Sequence, residues 1–134
     1  MKTRTIRQSV SFKAAPHEVY EILMDERKHA GFTGGKASIS RKVGGKFSVS
    51  DGYIVGENLE LVKDEKIVQS WKAEEDCWPE GHYSKVAFTL KKTKDGTKLT
   101  FTHTGIPLEC GTRFDEGWKE FYWEPMKEKL ESGD

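Results

Sequence analysis

The sequence predicts an α+β domain: an antiparallel meander of about six to seven strands wrapped on a long C-terminal helix, with a short helix pair after the first strand. Three observations carry that expectation. The stretch from Gly111 to Leu130 holds the longest amphipathic helical pattern in the chain, because successive positions about 100° apart bring Phe114, Trp118, Phe121, Tyr122 and Pro125 onto one aromatic stripe. Most of the preceding sequence alternates apolar and polar residues with a period of two, which is the pattern of a half-buried strand. Turn residues separate the alternating runs at hairpin spacing.

The elements follow in order. Ile6, Val10 and Phe12 share one parity, with Gln8 among them and Arg7, Ser9 and Ser11 opposite, so a strand is expected over Thr5 to Phe12. Ala15-Pro16 starts a helix, since proline suits the first helical position, and Val19, Tyr20, Ile22 and Leu23 give it an apolar face that ends near Asp25. Glu26 to Ala30 form a short second turn before Gly31, Gly34 and Gly35 break the pattern. Strands are then expected at about Ala37 to Ser40, Lys46 to Ser50, Tyr53 to Leu61, Ile67 to Ala73, Tyr83 to Lys92 and Lys98 to Thr104. Gly44-Gly45, Asp51-Gly52, Lys63-Asp64-Glu65 and Asp95-Gly96 supply the reversals. Phe47 and Val49, Leu59 and Leu61, Val86, Phe88 and Leu90, and Leu99 and Phe101 are the inward positions. A sheet with one dry face against the last helix follows. Pro125 interrupts that helix, since it removes a backbone donor and crowds the preceding turn, so a kink is expected between Phe121 and Pro125.

A chain of 134 residues is read as one domain over 1–134, and no repeat, linker or low-complexity run divides it. Lys plus Arg equals Asp plus Glu at 22 each, which gives no reason to expect nucleic acid as a partner. No apolar run approaches the roughly 20 residues of a membrane span, and the residues after Met1 lead into a strand, so a cytoplasmic monomer without membrane contact is expected. Cys77 and Cys110 could pair only once, and a domain with this much core needs no staple, so reduced thiols are expected.

Catalytic patterns are absent. Gly34-Gly35-Lys36-Ala37 and Gly44-Gly45-Lys46-Phe47 lack the earlier glycine and the Ser or Thr of a phosphate loop. Cys77, His82, His103 and Cys110 match no short-pair zinc spacing, so neither a metal nor a cofactor is expected. His103 shares the parity of Leu99 and Phe101 and reads as a satisfied core histidine, not a general base, because no partnering carboxylate is visible. Trp78 sits in the polar connection Glu74-Glu75-Asp76-Cys77-Trp78-Pro79-Glu80-Gly81-His82, where it either folds back over the sheet end or meets a partner. Trp123 lies about 140° from Trp118 on a regular helical wheel and faces away from the core unless Pro125 turns it inward.

The chain resembles the C-terminal domain of the activators of the heat-shock protein 90 ATPase, a branch of the START-like, helix-grip domains. The likeness runs from about Phe12 to Lys129 and rests on Gly44-Gly45-Lys46-Phe47, Asp51-Gly52 with Gly56, Ile67-Val68 with Trp71, Trp78-Pro79-Glu80-Gly81-His82, Gly105-Ile106-Pro107, and Gly117-Trp118 with Phe121-Tyr122. The pentapeptide is the most specific of these pieces. The resemblance implies a non-enzymatic co-chaperone that binds an Hsp90-type chaperone, with Glu74, Glu75, Trp78, Pro79, Glu80 and His82 as its contact loop. The alternative is a carrier, less readily an enzyme, for a small hydrophobic ligand held between sheet and helix, where Phe47, Trp71, Phe88, Phe101, His103, Trp118, Phe121 and Tyr122 would line the cavity. So many bulky side chains converge there that any cavity is expected to be small and mostly filled.

Overall fold

The structure, a computed structural model, describes residues 2–110 and 112–131. It is the α+β arrangement that the alternation and the C-terminal stripe predict. Strand β1 (Thr3–Phe12) is followed by α1 (Pro16–Met24) and α2 (Glu26–Thr33), then β2 (Ser38–Ile39), β3 (Lys46–Val49), β4 (Ile54–Val62), β5 (Lys66–Ala73), β6 (Ser84–Thr93) and β7 (Gly96–Pro107). The sheet is seven-stranded in the order β1-β7-β6-β5-β4-β3-β2, and each pairing is antiparallel. From β2 to β7 it is a plain meander, and β1, which precedes the helix pair, pairs with β7.

Local chemistry explains the breaks. Pro16 opens α1, and the Asp25 carboxylate caps α2 by accepting from the backbone N–H groups of Arg27 and Lys28, both at 3.0 Å. That cap extends α2 beyond the single turn expected from the sequence, to Gly34, whose φ of 82° ends it in a left-handed C-cap. In β4 a bulge between Asn58 and Glu60 reverses the parity. Asn58, before the bulge, keeps the inward parity of Ile54 and is buried; Leu59, expected to face inward, falls in the bulge and is 45% exposed, and Leu61 returns to the core side. Asn58 Nδ2 donates to the Ser40 and Lys42 carbonyls and its Oδ1 accepts from Gln69, so the inward polar group holds the β2–β3 hairpin.

The C-terminal segment is α3 (Arg113–Trp118), a π-helical turn (Lys119–Trp123) and α4 (Glu124–Glu131). The distortion falls where the sequence places it. Pro125 cannot donate to the Phe121 carbonyl and its ring would crowd that group, and the chain widens, with the Glu124 N–H bonded to the Lys119 carbonyl. One extra residue in the turn changes which side chains face the sheet. Phe114, Trp118, Tyr122, Trp123 and Met126 are buried, while Phe121 is 61% exposed. Trp118 and Trp123 then stack with centroids 5.6 Å apart and planes 22° from parallel. Beneath them Phe88 and Phe101 are directly paired across β6 and β7, and Trp118 lies 4.3 Å from Phe101, centroid to centroid. Gln8 clamps this helix to β1: it donates to the carbonyl and carboxylate of Asp115 and accepts from Trp123 Nε1 at 2.6 Å.

Candidate functional site

Four segments meet at one end of the sheet: the loop between β5 and β6, the 3-10 turn Leu108–Cys110 after β7, the first turn of α3, and Tyr53 at the head of β4. The β5–β6 loop is built around Trp78. Trp78 is only 6% exposed, and its ring lies 5.7 Å from those of Trp71 and Phe114. Its Nε1–H donates to the His82 carbonyl at 2.7 Å, and the His82 Nε2–H donates to the Gly105 carbonyl at 2.7 Å. Gly81 completes the reversal with a φ of 76°, a conformation that costs a residue with a Cβ more than it costs glycine. The pentapeptide is thus a cap on the sheet end, bonded within itself through Trp78 and to β7 through His82. It leaves Glu74, Asp76 and Glu80 exposed, with Glu75, Pro79 and His82 half-buried. Tyr83, 51% exposed, stands beside them with the Lys72 ammonium 5.9 Å from its ring centre.

Cys77 and Cys110 are joined in a disulfide with their Cα atoms 5.2 Å apart. The expectation of reduced thiols came from core size, and core size says nothing about which loops meet. Two segments 33 residues apart arrive at the same corner, within the separation a disulfide spans.

Beside the cap lies a recess of about 430 Å³, within the several-hundred-Å³ range of small-molecule sites. Its apolar wall includes Ile54, Trp71, Phe114, Trp118, Phe121 and Tyr122. At its polar edge the Tyr53 hydroxyl donates to Glu75 at 2.7 Å, and Glu75 pairs with Arg113 at 3.2 Å. Burial raises the Tyr53 phenol well above its usual pKa, and the hydrogen bond to the Glu75 carboxylate adds to the rise. The deeper space between sheet and helix, lined by Phe47, Phe88 and Trp118 among others, amounts to about 20 Å³, room for roughly one water. Of the eight residues expected to line a cavity, Trp71, Trp118, Phe121 and Tyr122 face the recess, Phe47 and Phe88 face the small inner space, and Phe101 and His103 are buried in the core. The wheel could not foresee the recess, because the π turn moves Phe121 from the core to its mouth. Tyr53 and Arg113 carried no signal beyond being polar residues near predicted boundaries.

His103 is a satisfied core group. Its Nδ1 accepts from Trp118 Nε1 at 3.1 Å, which places the proton on Nε2; Nε2 donates to Ser84 Oγ at 2.8 Å, and Ser84 Oγ donates to the Trp71 carbonyl at 2.8 Å. Burial lowers its pKa to about 3. His29 is arranged likewise, with Nδ1 donating to the Leu23 carbonyl and Nε2 accepting from Tyr122, and burial lowers it to about 4. Neither imidazole touches a carboxylate or the recess edge. Among the described residues no three His, Cys, Asp or Glu side chains come together as a metal-holding group. No helix among them is long and apolar enough to cross a membrane.

Residues 13–131 match the family described as activator of Hsp90 ATPase homolog 1-like protein. The activator of 90 kDa heat shock protein ATPase homolog 1 of Homo sapiens is 31% identical over 123 residues, which cover 92% of this chain and 36% of that protein. The corresponding Dictyostelium discoideum activator is 34% identical over 120 residues, covering 87% of this chain and 30% of its own length. The chain therefore spans about a third of the curated relatives it matches. Among solved structures, an HSP90 activator from Plasmodium falciparum superposes with a TM-score of 0.82 at 29% identity, covering 96% of each chain. A Mesorhizobium loti protein superposes with a TM-score of 0.83 at 20% identity over 98% of this chain and 99% of the other, a likeness of fold.

Proposed function

Since this chain belongs to the activator of Hsp90 ATPase homolog 1-like family, we propose that it is a co-chaperone-like binding protein that engages an Hsp90-type chaperone and performs no chemistry of its own. The observation that carries the proposal is family membership combined with a rigid cap at the sheet end. Trp78 is spent on a bond within the β5–β6 loop and the His82 ring on one to Gly105 of β7, while Pro79 and Gly81 fix the loop's course. A loop so held presents its acidic face, Glu74, Glu75, Asp76 and Glu80, with little conformational freedom left to lose on binding. In this reading Trp78 supports the contact surface from beneath, and Glu74 and Glu80 steer a basic patch of the chaperone onto it.

The test is kinetic. Binding of the chain to a purified Hsp90-type chaperone, and the ATPase rate with and without the chain, are measured for wild type and for the double variant Glu74→Lys, Glu80→Lys. The expected outcome is unchanged folding, slower association and a weaker dependence on salt. Unaltered association kinetics and salt dependence would remove the loop from the interface. Trp78→Ala must be read with its melting temperature beside its kinetics, because its ring is core.

The recess favours a second reading. An apolar chamber of about 430 Å³ with a hydroxyl and an ion pair at one edge suits a small hydrophobic molecule bearing one polar end. Titration with fatty acids, sterols and aromatic polyketides decides between the two, since a saturable one-to-one isotherm at micromolar concentration would place the carrier role first.

A further inference from the structure

The disulfide is used by neither reading, yet it sits at the junction of the cap and the recess. Cys77 belongs to the β5–β6 loop and Cys110 to the turn that leads into α3. Among the described residues, three other ties join those two segments. Glu75 pairs with Arg113 at 3.2 Å, Arg113 Nη1 stands 3.8 Å from Cys77 Sγ, and the Trp78 and Phe114 rings touch. The Arg113 side chain is more than half exposed, so its ion pair is weak. Thr112, at the start of α3, gives that helix no side-chain cap. The first turns of α3 supply Arg113, Phe114 and Gly117 to the recess, and the loop supplies Glu75, so the bridge fixes the two sides of one opening.

The two sulfurs are not equally placed. Cys110 is 3% exposed, while Cys77 is half-buried at the surface with the Arg113 guanidinium beside it. A thiol therefore reaches the pair through Cys77.

We infer that Cys77 and Cys110 form a thiol–disulfide modification site that works as a clasp. Oxidised, it holds the β5–β6 loop against the start of α3; reduced, it lets them part and opens the recess. The reductant is a dithiol. One of its thiolates attacks Cys77 Sγ, the bond to Cys110 breaks, and Cys110 departs with the electron pair and takes up a proton. The second thiolate then attacks the first sulfur of the reductant, releasing Cys77 as a thiolate beside Arg113. The reductant leaves as a cyclic disulfide, two electrons poorer, and the protein holds two thiols. The inference stands apart from the chaperone reading, because its readout is the chain alone.

The full chain is purified without reductant, alkylated and weighed, before and after dithiothreitol. It is expected to take up no label before reduction and one on each of its two cysteines after it. Amide hydrogen exchange of the oxidised and reduced forms is then compared. Exchange is expected to rise on reduction across the β5–β6 loop and the first turns of α3, and to stay unchanged in β6 and β7. Cys77→Ser should exchange like the reduced form without reductant. Two alkylated cysteines before reduction that glutathione disulfide cannot close would overturn the inference. So would equal exchange in both forms, or a uniform rise over the whole sheet, which would report global loss of stability and no local opening. If Cys77→Ser does not fold, the reduced wild type decides alone.

Discussion

Trp118 does two jobs that separate cleanly by substitution. Its ring fills the space over Phe101, and its indole N–H satisfies the buried His103 Nδ1. Trp118→Ala should therefore cost roughly 3–5 kcal/mol, read as a fall in melting temperature. Trp118→Phe keeps most of the packing but strands the imidazole acceptor, at about 1–3 kcal/mol. The histidines give stability a pH dependence with a definite sign. In the folded chain His103 and His29 titrate near 3 and near 4, below the ordinary value of 6.5, chiefly because burial penalises the charged form. Between those values and 6.5 the unfolded chain binds the protons and the folded chain does not. This stability is full above 6.5 and is lost as pH falls through the window. Unfolding free energies from urea titrations at pH 7 and pH 5 should differ by roughly 2 kcal/mol for each histidine, and His29→Gln should remove its share of the slope. An unchanged slope in that variant would mean that His29 is solvated.

At the scale of the element, the C-terminal helix shows how one proline decides the fate of two aromatic residues. A regular helix puts Phe121 on the stripe and Trp123 off it. The π turn before Pro125 exchanges them, leaving Phe121 at the mouth of the recess and turning Trp123 inward onto Trp118, Phe101 and Gln8. The prediction separates the two geometries. Phe121→Ala should shift stability by no more than about 0.5 kcal/mol, as exposed substitutions do, whereas Trp123→Ala should cost roughly 3–5 kcal/mol. Chemical denaturation of both variants checks it, and the reverse order would restore the regular helix. In β4 the bulge at Asn58 acts in the same way on Leu59: one residue out of step carries the apolar position to the wet face.

At the scale of the whole molecule, one end of the sheet is closed by side-chain packing, and the recess and the disulfide gather there. The cap, the recess and the disulfide are all made from segments distant in sequence. The disulfide also constrains the unfolded chain. Closing a loop over a separation of 33 residues should contribute roughly 3–4 kcal/mol by the loop-entropy relation. Urea unfolding with and without a dithiol measures that difference, and identical midpoints would mean that the bridge does not form in solution.

What the sequence determined by itself was whatever depends on neighbours along the chain. Alternation marked the strands, Pro16 marked a helix start, the parity of His103 marked it as core, and Pro125 marked the site of distortion. The glycine and pentapeptide pattern also pointed to the family that residues 13–131 match. What only the tertiary structure decided was whatever depends on residues far apart. Burial of Trp78 needed Trp71 and Phe114 to arrive beneath it, the inward turn of Trp123 needed Gln8 on β1, and the Cys77–Cys110 bond needed two loops to share a corner. Periodicity records the face a residue takes on its own element, and a bulge or a π turn shifts that face by one position. It holds no record of which other element stands opposite, and at the sheet end that opposition sets the shape of the recess, the burial of Trp78 and the pairing of the sulfurs.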